Sequence, residues 1–198
     1  MTIFAVAMTG ILALLHSTIS SSLVSRHEII AANLAREQIE LIRNARNTNI
    51  RNYTDWDRLR IGDDGSGFLT GWVFLIENDY TSSGTIYSTS DGNITNSPIK
   101  ISSLSFFPGD TLETKFNTSQ LYLDSLGRYT HSDTGSGTLY ASYMIVSPLK
   151  FEASGTTIEP KDGASGRNQW YIIDARVIVK SRGYTEYDMK TIITDWKK

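Results

Sequence analysis

The chain has 198 residues, 19 Lys and Arg against 21 Asp and Glu for a formal net charge of −2, and 40% hydrophobic residues, enough for one folded domain with an appendage. This near-balance argues against nucleic acid as an obligate partner, because phosphate binding calls for a basic excess or face, and only the mild cluster Arg43, Arg46 and Arg51 leans that way. The absence of Cys excludes disulfides, thiolate nucleophiles and Cys-based zinc sites, so stability must come from ordinary packing.

Residues 1–25 form a hydrophobic segment in which Ile3, Phe4, Val6, Met8, Ile11, Leu12, Leu14, Leu15, Ile19, Leu23 and Val24 are separated by small or hydroxylated residues. No charged side chain occurs before Arg26. A helix crosses a bilayer core with roughly 20 mainly apolar residues, and this run meets that length. It does not read as a secretory signal peptide, since no basic region precedes the apolar part and no A-x-A pattern is followed by a break in composition.

Residues 26–50 continue as the amphipathic half of the same predicted helix. At about 100° per residue, Ile30, Leu34, Leu41, Ile42 and Ala45 fall on one side, with Ala31 and Ala35 beside them, and are expected to pack against a sheet. Arg36, Glu40 and Arg43 fall opposite, spaced for i,i+4 and i,i+3 pairing. No Pro precedes Pro98. A continuous helix to residue 48 would be roughly 70 Å long, more than twice a hydrocarbon core.

Residues 51–198 read as a β-rich head. After the polar stretch "NTNIRNYTDWDRLRIGDDGSG", strands are predicted over 71–78, 84–89, 98–106, 119–124, 137–146, 169–181 and 184–196, joined by Gly, Ser, Asn and Asp-rich loops. "RG" at 182–183 predicts a hairpin that sets Ile173, Ala175, Val177 and Val179 against Tyr187, Met189, Thr191 and Ile193 on one buried face. The expected class is α+β: a long N-terminal α-helix packed on a mostly antiparallel β-sheet domain.

"MTIFA" resembles the start of a mature type IV pilin or pseudopilin, whose usual opening is Phe-Thr-Leu-Ile-Glu. Met1 stands where that family carries its methylated first residue, Thr2 at its Thr, Ile3 at its Leu, Phe4 at its Ile and Ala5 at its Glu. "ANLAREQIELIRNARNTN" (32–49) is similar to the helix of PilV-like bacterial pilins, where an Ala-Arg-Glu-Gly-Ile-Glu type string precedes Arg-Asn and an Asn-rich exit. "LDSLGRYTH" (123–131) and "TIITDWKK" (191–198) are similar to mid-domain and final-strand strings of that group. The resemblance spans the first 60 residues and the β domain only in fragments.

The resemblance implies a bacterial structural subunit that sits in the inner membrane by a single pass and is then drawn into an extracellular filament, or fimbrium, of identical subunits. A prepilin peptidase and pilus assembly machinery are its implied partners, with adhesion, twitching motility or DNA uptake as outcomes and a surface or host-cell target. Met1 in register with the mature first residue points to numbering that begins after leader removal, although a native Met start reads the same way. The implied filament core is Met1, Ile3, Phe4, Ala5, Val6, Met8, Ile11, Leu12, Leu15 and Ile19. In the family the fifth-position Glu pairs with the N-terminal amine of a neighbour, and Ala5 cannot do so. An unpaired buried ammonium is costly, so the amine needs other acceptors, modification, or access to water or headgroups. Family members also lose helix in this region within filaments. In "HSTISSS", Ser17, Thr18, Ile19, Ser20, Ser21 and Ser22 have modest helix propensity, so local melting stands beside an intact helix whose hydroxyls bond i−4 carbonyls. A minor or tip pilin, a type II secretion pseudopilin and a single-pass surface-binding protein that does not polymerise remain alternatives.

Residues for chemistry are sparse. His16 and His27 lie 11 residues apart on the helix, about 16 Å along its axis and too far to share a metal. His131 has Ser132 and Asp133 beside it without the strand-elbow G-x-S-x-G of a hydrolase. "DDGSG" (63–67) lacks the alternating ligands and closing Glu of a calcium loop, and "DTGSG" (133–137) and "DGASG" (162–166) lack the Lys of a phosphate loop, so all three read as loops. Asn52, Asn93 and Asn117 meet the N-glycosylation spacing, which arises often by chance in Asn and Thr-rich chains. Trp72 and Trp170 read as sheet core. No enzyme activity and no cofactor are expected.

Overall fold

The computed structural model describes residues 2–51, 73–78, 99–104, 109–133, 135–149, 151–153, 156–158 and 170–194. The strand expected over 84–89, and the positions Asn52, Trp72 and Asn93, lie outside these. The first element, α1 (Thr2–Arg51), is one unbroken 50-residue helix. It contains no Pro, and its one Gly, Gly10, does not interrupt it. Ser17–Ser22 are helical, and the Thr18 hydroxyl donates to the Leu14 carbonyl at 2.8 Å, the i−4 bond open to a hydroxyl inside an intact helix.

The strands are β1 (Val73–Asn78), β2 (Ile99–Leu104), β3 (Gln120–Leu123), β4 (Tyr129–Thr130), β5 (Ser136–Pro148), β6 (Phe151–Ala153), β7 (Thr156–Ile158), β8 (Trp170–Lys180) and β9 (Tyr184–Thr194). Seven of them make one antiparallel sheet, and β6 with β7 form a separate pair. The 13-residue β5 is its centre. On one side β5 pairs along Tyr140–Pro148 with β8, which pairs with β9. On the other side two strands meet it end to end: β3 against Ser136–Ala141 and β1 at Met144 and Ile145. The sheet therefore forks, with β4 beyond β3 and β2 beyond β1.

The β8–β9 hairpin sets Ile173 opposite Thr191, Ala175 opposite Met189 and Val177 opposite Tyr187, closing at Lys180 and Tyr184 through a turn of Ser181, Arg182 and Gly183. A short helix, α2 (Leu112–Thr118), had no counterpart in the sequence reading. Thr111 caps it by accepting from the Thr114 N–H at 3.2 Å, and Phe116 anchors it by burial.

Strand side chains alternate between faces, so the sheet carries two cores. On one face α1 lays Ala31, Leu34, Ala35 and Ile39 onto Leu121, Tyr140, Ala175, Val177 and Val179, with Ile30 half-buried at the margin. Further along, Leu41, Ile42 and Ala45 meet Phe74, Ile76, Met144, Val146, Tyr171, Ile173 and Ile193. Small Ala side chains on both elements let the helix lie close to the sheet. On the other face Phe116 covers Val73, Ala141, Tyr143 and Ile178.

Ile42, 2% exposed, sits in the middle of the helix–sheet seam. Ile42→Ala is expected to destabilise the head by about 2–5 kcal/mol, read from denaturant unfolding of the full chain in detergent.

Candidate membrane-anchoring and assembly surface

Before α1 reaches the sheet, its described large apolar side chains are exposed. Phe4, Met8, Ile11, Leu12, Leu14, Leu15, Ile19, Leu23 and Val24 are between 50% and 73% exposed. Of the other residues named for this surface, Met1 and the side chains of Ile3, Ala5 and Val6 lie outside the described residues. Among the described residues, one helix is long and apolar enough to cross a membrane, with a mean hydropathy of 1.4. A continuous apolar surface of this size exceeds what a water-soluble monomer exposes, and marks contact with lipid or protein.

The surface is not uniform. At about 100° per residue, Phe4, Met8, Ile11, Leu12, Leu15, Ile19 and Leu23 fall in one stripe ~120° wide. Between Gly10 and Ser21 the opposite side carries Gly10, Ala13, Ser17, Ser20 and Ser21 with Leu14 at its edge, and Val24 follows on that same side. A Cβ placed on Gly10 would meet no atom within 4 Å. The bulky and small faces of one helix therefore have complementary relief.

The exposed segment ends where charge begins. After Arg26, His27 Nδ1 lies 2.8 Å from the Tyr140 hydroxyl, the rings 5.8 Å apart, tying α1 to β5. Burial, with a smaller contribution from Tyr129, pushes the Tyr140 hydroxyl above its ordinary pKa. His16 is exposed. The other helix residues named for packing, Ile30, Leu34, Leu41, Ile42 and Ala45, all lie on the sheet-facing side described above.

Beneath α1, the fork leaves room for polar groups. Glu77 on β1 accepts from the His131 backbone N–H at 2.7 Å and from the Thr130 hydroxyl at 3.0 Å. The His131 ring Nε2 lies 3.0 Å from the Ser142 carbonyl. Burial alone would raise the Glu77 pKa, but the hydrogen bonds from His131 and Thr130 outweigh it and hold the group at about 2. Gln38, 4% exposed, faces this cluster from α1. The sequence reading missed Glu77 and Gln38. Each left a trace: an acid inside the apolar strand "VFLIEN", and an amide four residues after Leu34 and three before Leu41 on the packing stripe.

On the opposite face Arg176 binds Asp174 Oδ2 at 2.8 and 3.0 Å and Glu186 at 3.4 Å, and the Tyr143 hydroxyl donates to Glu186. Its hydrogen bonds to Asp174 raise the Arg176 pKa, and burial raises that of Tyr143. These groups pair with one another. Among the described residues, no three His, Cys, Asp or Glu come together to hold a metal. Asn117 is exposed in the last turn of α2 rather than in a loop, and Trp170 is half-buried at the start of β8. Compared with models of protein families, with curated proteins and with solved structures, the chain finds no match.

Because the Glu77 carboxyl is held well below its ordinary 4.5, the unfolded chain binds a proton there that the folded chain refuses. This contribution to stability is complete above about pH 4.5 and is expected to disappear as pH falls toward 2. Denaturation midpoints measured across that range check it, and Glu77→Gln should remove that part of the slope.

Proposed function

We propose that this chain is the structural subunit of a type IV pilus-like filament, held in the membrane by residues 1–25 before assembly and packed through the same residues afterwards. The observation that carries the reading is the exposed apolar half of α1, rigidly continuous with the half that grips the head. An anchor alone needs only apolar length. A bulky stripe backed by a small-residue face adds a means of packing copies of the helix, the side chains of one entering the shallow face of the next. That contact is heterologous, joining two different patches, and repeating it without closure builds a helical filament. The resemblance of "MTIFA" and of residues 32–49 to type IV pilins supports the same reading.

In this proposal the head forms the outer surface, the filament lies outside a bacterial cell, and the work is mechanical and adhesive rather than catalytic. Ala5 leaves the N-terminal amine without the neighbouring carboxylate that the family supplies. A minor or tip position and a secretion pseudopilin use the same helix surface and differ in what surrounds it.

Electron microscopy of sheared cell surfaces, with immunolabelling of this chain, tests polymerisation. Thin labelled filaments are expected, and a chain confined to the membrane fraction would sink the proposal. Gly10→Leu should leave the fold unchanged, since a Cβ there meets nothing, and leave membrane retention intact while lowering filament yield at least several-fold. Leu15→Arg places a charge mid-span at a cost of several kcal/mol and should abolish both retention and filaments. Ala5→Glu should change filament yield if neighbouring amines reach position 5.

A further inference from the structure

Between α1 and the fork of the sheet lies a recess of about 20 Å³, bordered by Gln38, Glu77, His131 and Ser142, with Glu37 and Tyr129 at its solvent side and Leu34, Leu41, Ile76 and Leu121 around it. A water molecule needs about 10–15 Å³ measured in this way, and two to four polar partners. The recess therefore has room for one water. Both Gln38 side-chain polar atoms, Oε1 and Nε2, and His131 Nδ1 are buried without a hydrogen-bond partner among the described residues.

The ring geometry narrows the chemistry. A carbonyl can only accept, so the 3.0 Å contact between His131 Nε2 and the Ser142 carbonyl places a proton on Nε2. In the neutral ring Nδ1 is then a lone pair, and it lies 3.6 Å from Glu77 Oε2, itself an acceptor already engaged by the His131 and Thr130 donors. At that distance a direct hydrogen bond is too long, so Glu77 does not satisfy Nδ1 there. A single donor that serves both acceptors does, and Gln38 supplies the amide that such a donor can accept from.

We propose that this recess is a structural water site, in which one water accepts from the Gln38 amide N–H and donates to His131 Nδ1 and to Glu77. The water links α1 to both arms of the fork, β1 through Glu77 and the segment after β4 through His131. It makes the helix–sheet joint polar and directional at one point in an otherwise apolar seam. An apolar contact tolerates sliding of the helix by a fraction of a residue, whereas a tetrahedral water with three fixed partners does not.

The test is a structure of the full chain in detergent at a resolution that shows ordered solvent, together with 15N NMR of the His131 ring. The expected result is one solvent peak within ~3 Å of both the Gln38 amide and His131 Nδ1, and an Nδ1 resonance of an unprotonated, hydrogen-bonded nitrogen at neutral pH. Two results would overturn the site: a Gln38 amide bonded directly to His131 or Glu77 with no solvent peak, or a ring protonated at both nitrogens and closed onto Glu77. Gln38→Leu fills the recess and is expected to remove the peak and shift the Nδ1 resonance. An unchanged Nδ1 resonance in a folded variant would count against the water, and the wild-type measurements decide the matter if the variant does not fold.

Discussion

One seam holds the head together: the small and branched apolar stripe of α1 from Ala31 to Ala45 against the alternating inward side chains of β5 and β8. The helix must satisfy two environments in sequence, and this seam is where the second begins. Every strand that reaches the helix face depends on it for cover. Without α1, Ile173, Ala175 and Val177, each fully buried, would lie on an open sheet. The short α2 plays the corresponding part on the other face with a single large anchor, Phe116.

The fork in the sheet is the second organising feature. A 13-residue β5 outlasts the four-residue β3 and leaves its far end free for β1. Where β1 and β3 diverge, backbone groups lose strand partners, and burying them without others is costly. The carboxylate of Glu77 supplies one such partner to the His131 N–H. Polar side chains at this point thus follow from the topology of the sheet.

Much of this was legible in the sequence, and unevenly so. Residues 2–51 announce a helix by the run of apolar and small residues, the lack of Pro, and a stripe from Ile30 to Ala45 whose spacing persists for several turns. The β8–β9 hairpin was legible because Ile173, Ala175, Val177 and Val179 alternate strictly and "RG" marks the turn; the turn itself takes in Ser181 as well. The order of strands was not legible, because pairing partners are set by side-chain fit across tens of residues and no local pattern encodes it. Seven residues are too few for a helical period, so α2 showed only its Thr111 cap and the acidic Glu113 in its first turn. The "DTGSG" loop reading gave way at Ser136, which begins β5 one residue ahead of the strand predicted from Gly137. The pairing of Glu77 with His131, 54 residues apart, had no sequence signal beyond an acid in an apolar strand.

The direction in which α1 crosses the sheet has a mechanical meaning. Its earlier residues, 31–39, lie over the 175–179 end of β8, and its later residues, 41–45, lie over the 171–173 end, so the helix runs along the strands rather than across them. A pull on the N-terminal half is then delivered lengthwise to β5 and β8. The seam from Ala31 to Ala45 is then loaded in shear along its length instead of opening from one end as in peeling. A head hung this way resists traction as a lap joint does, by the length of its overlap.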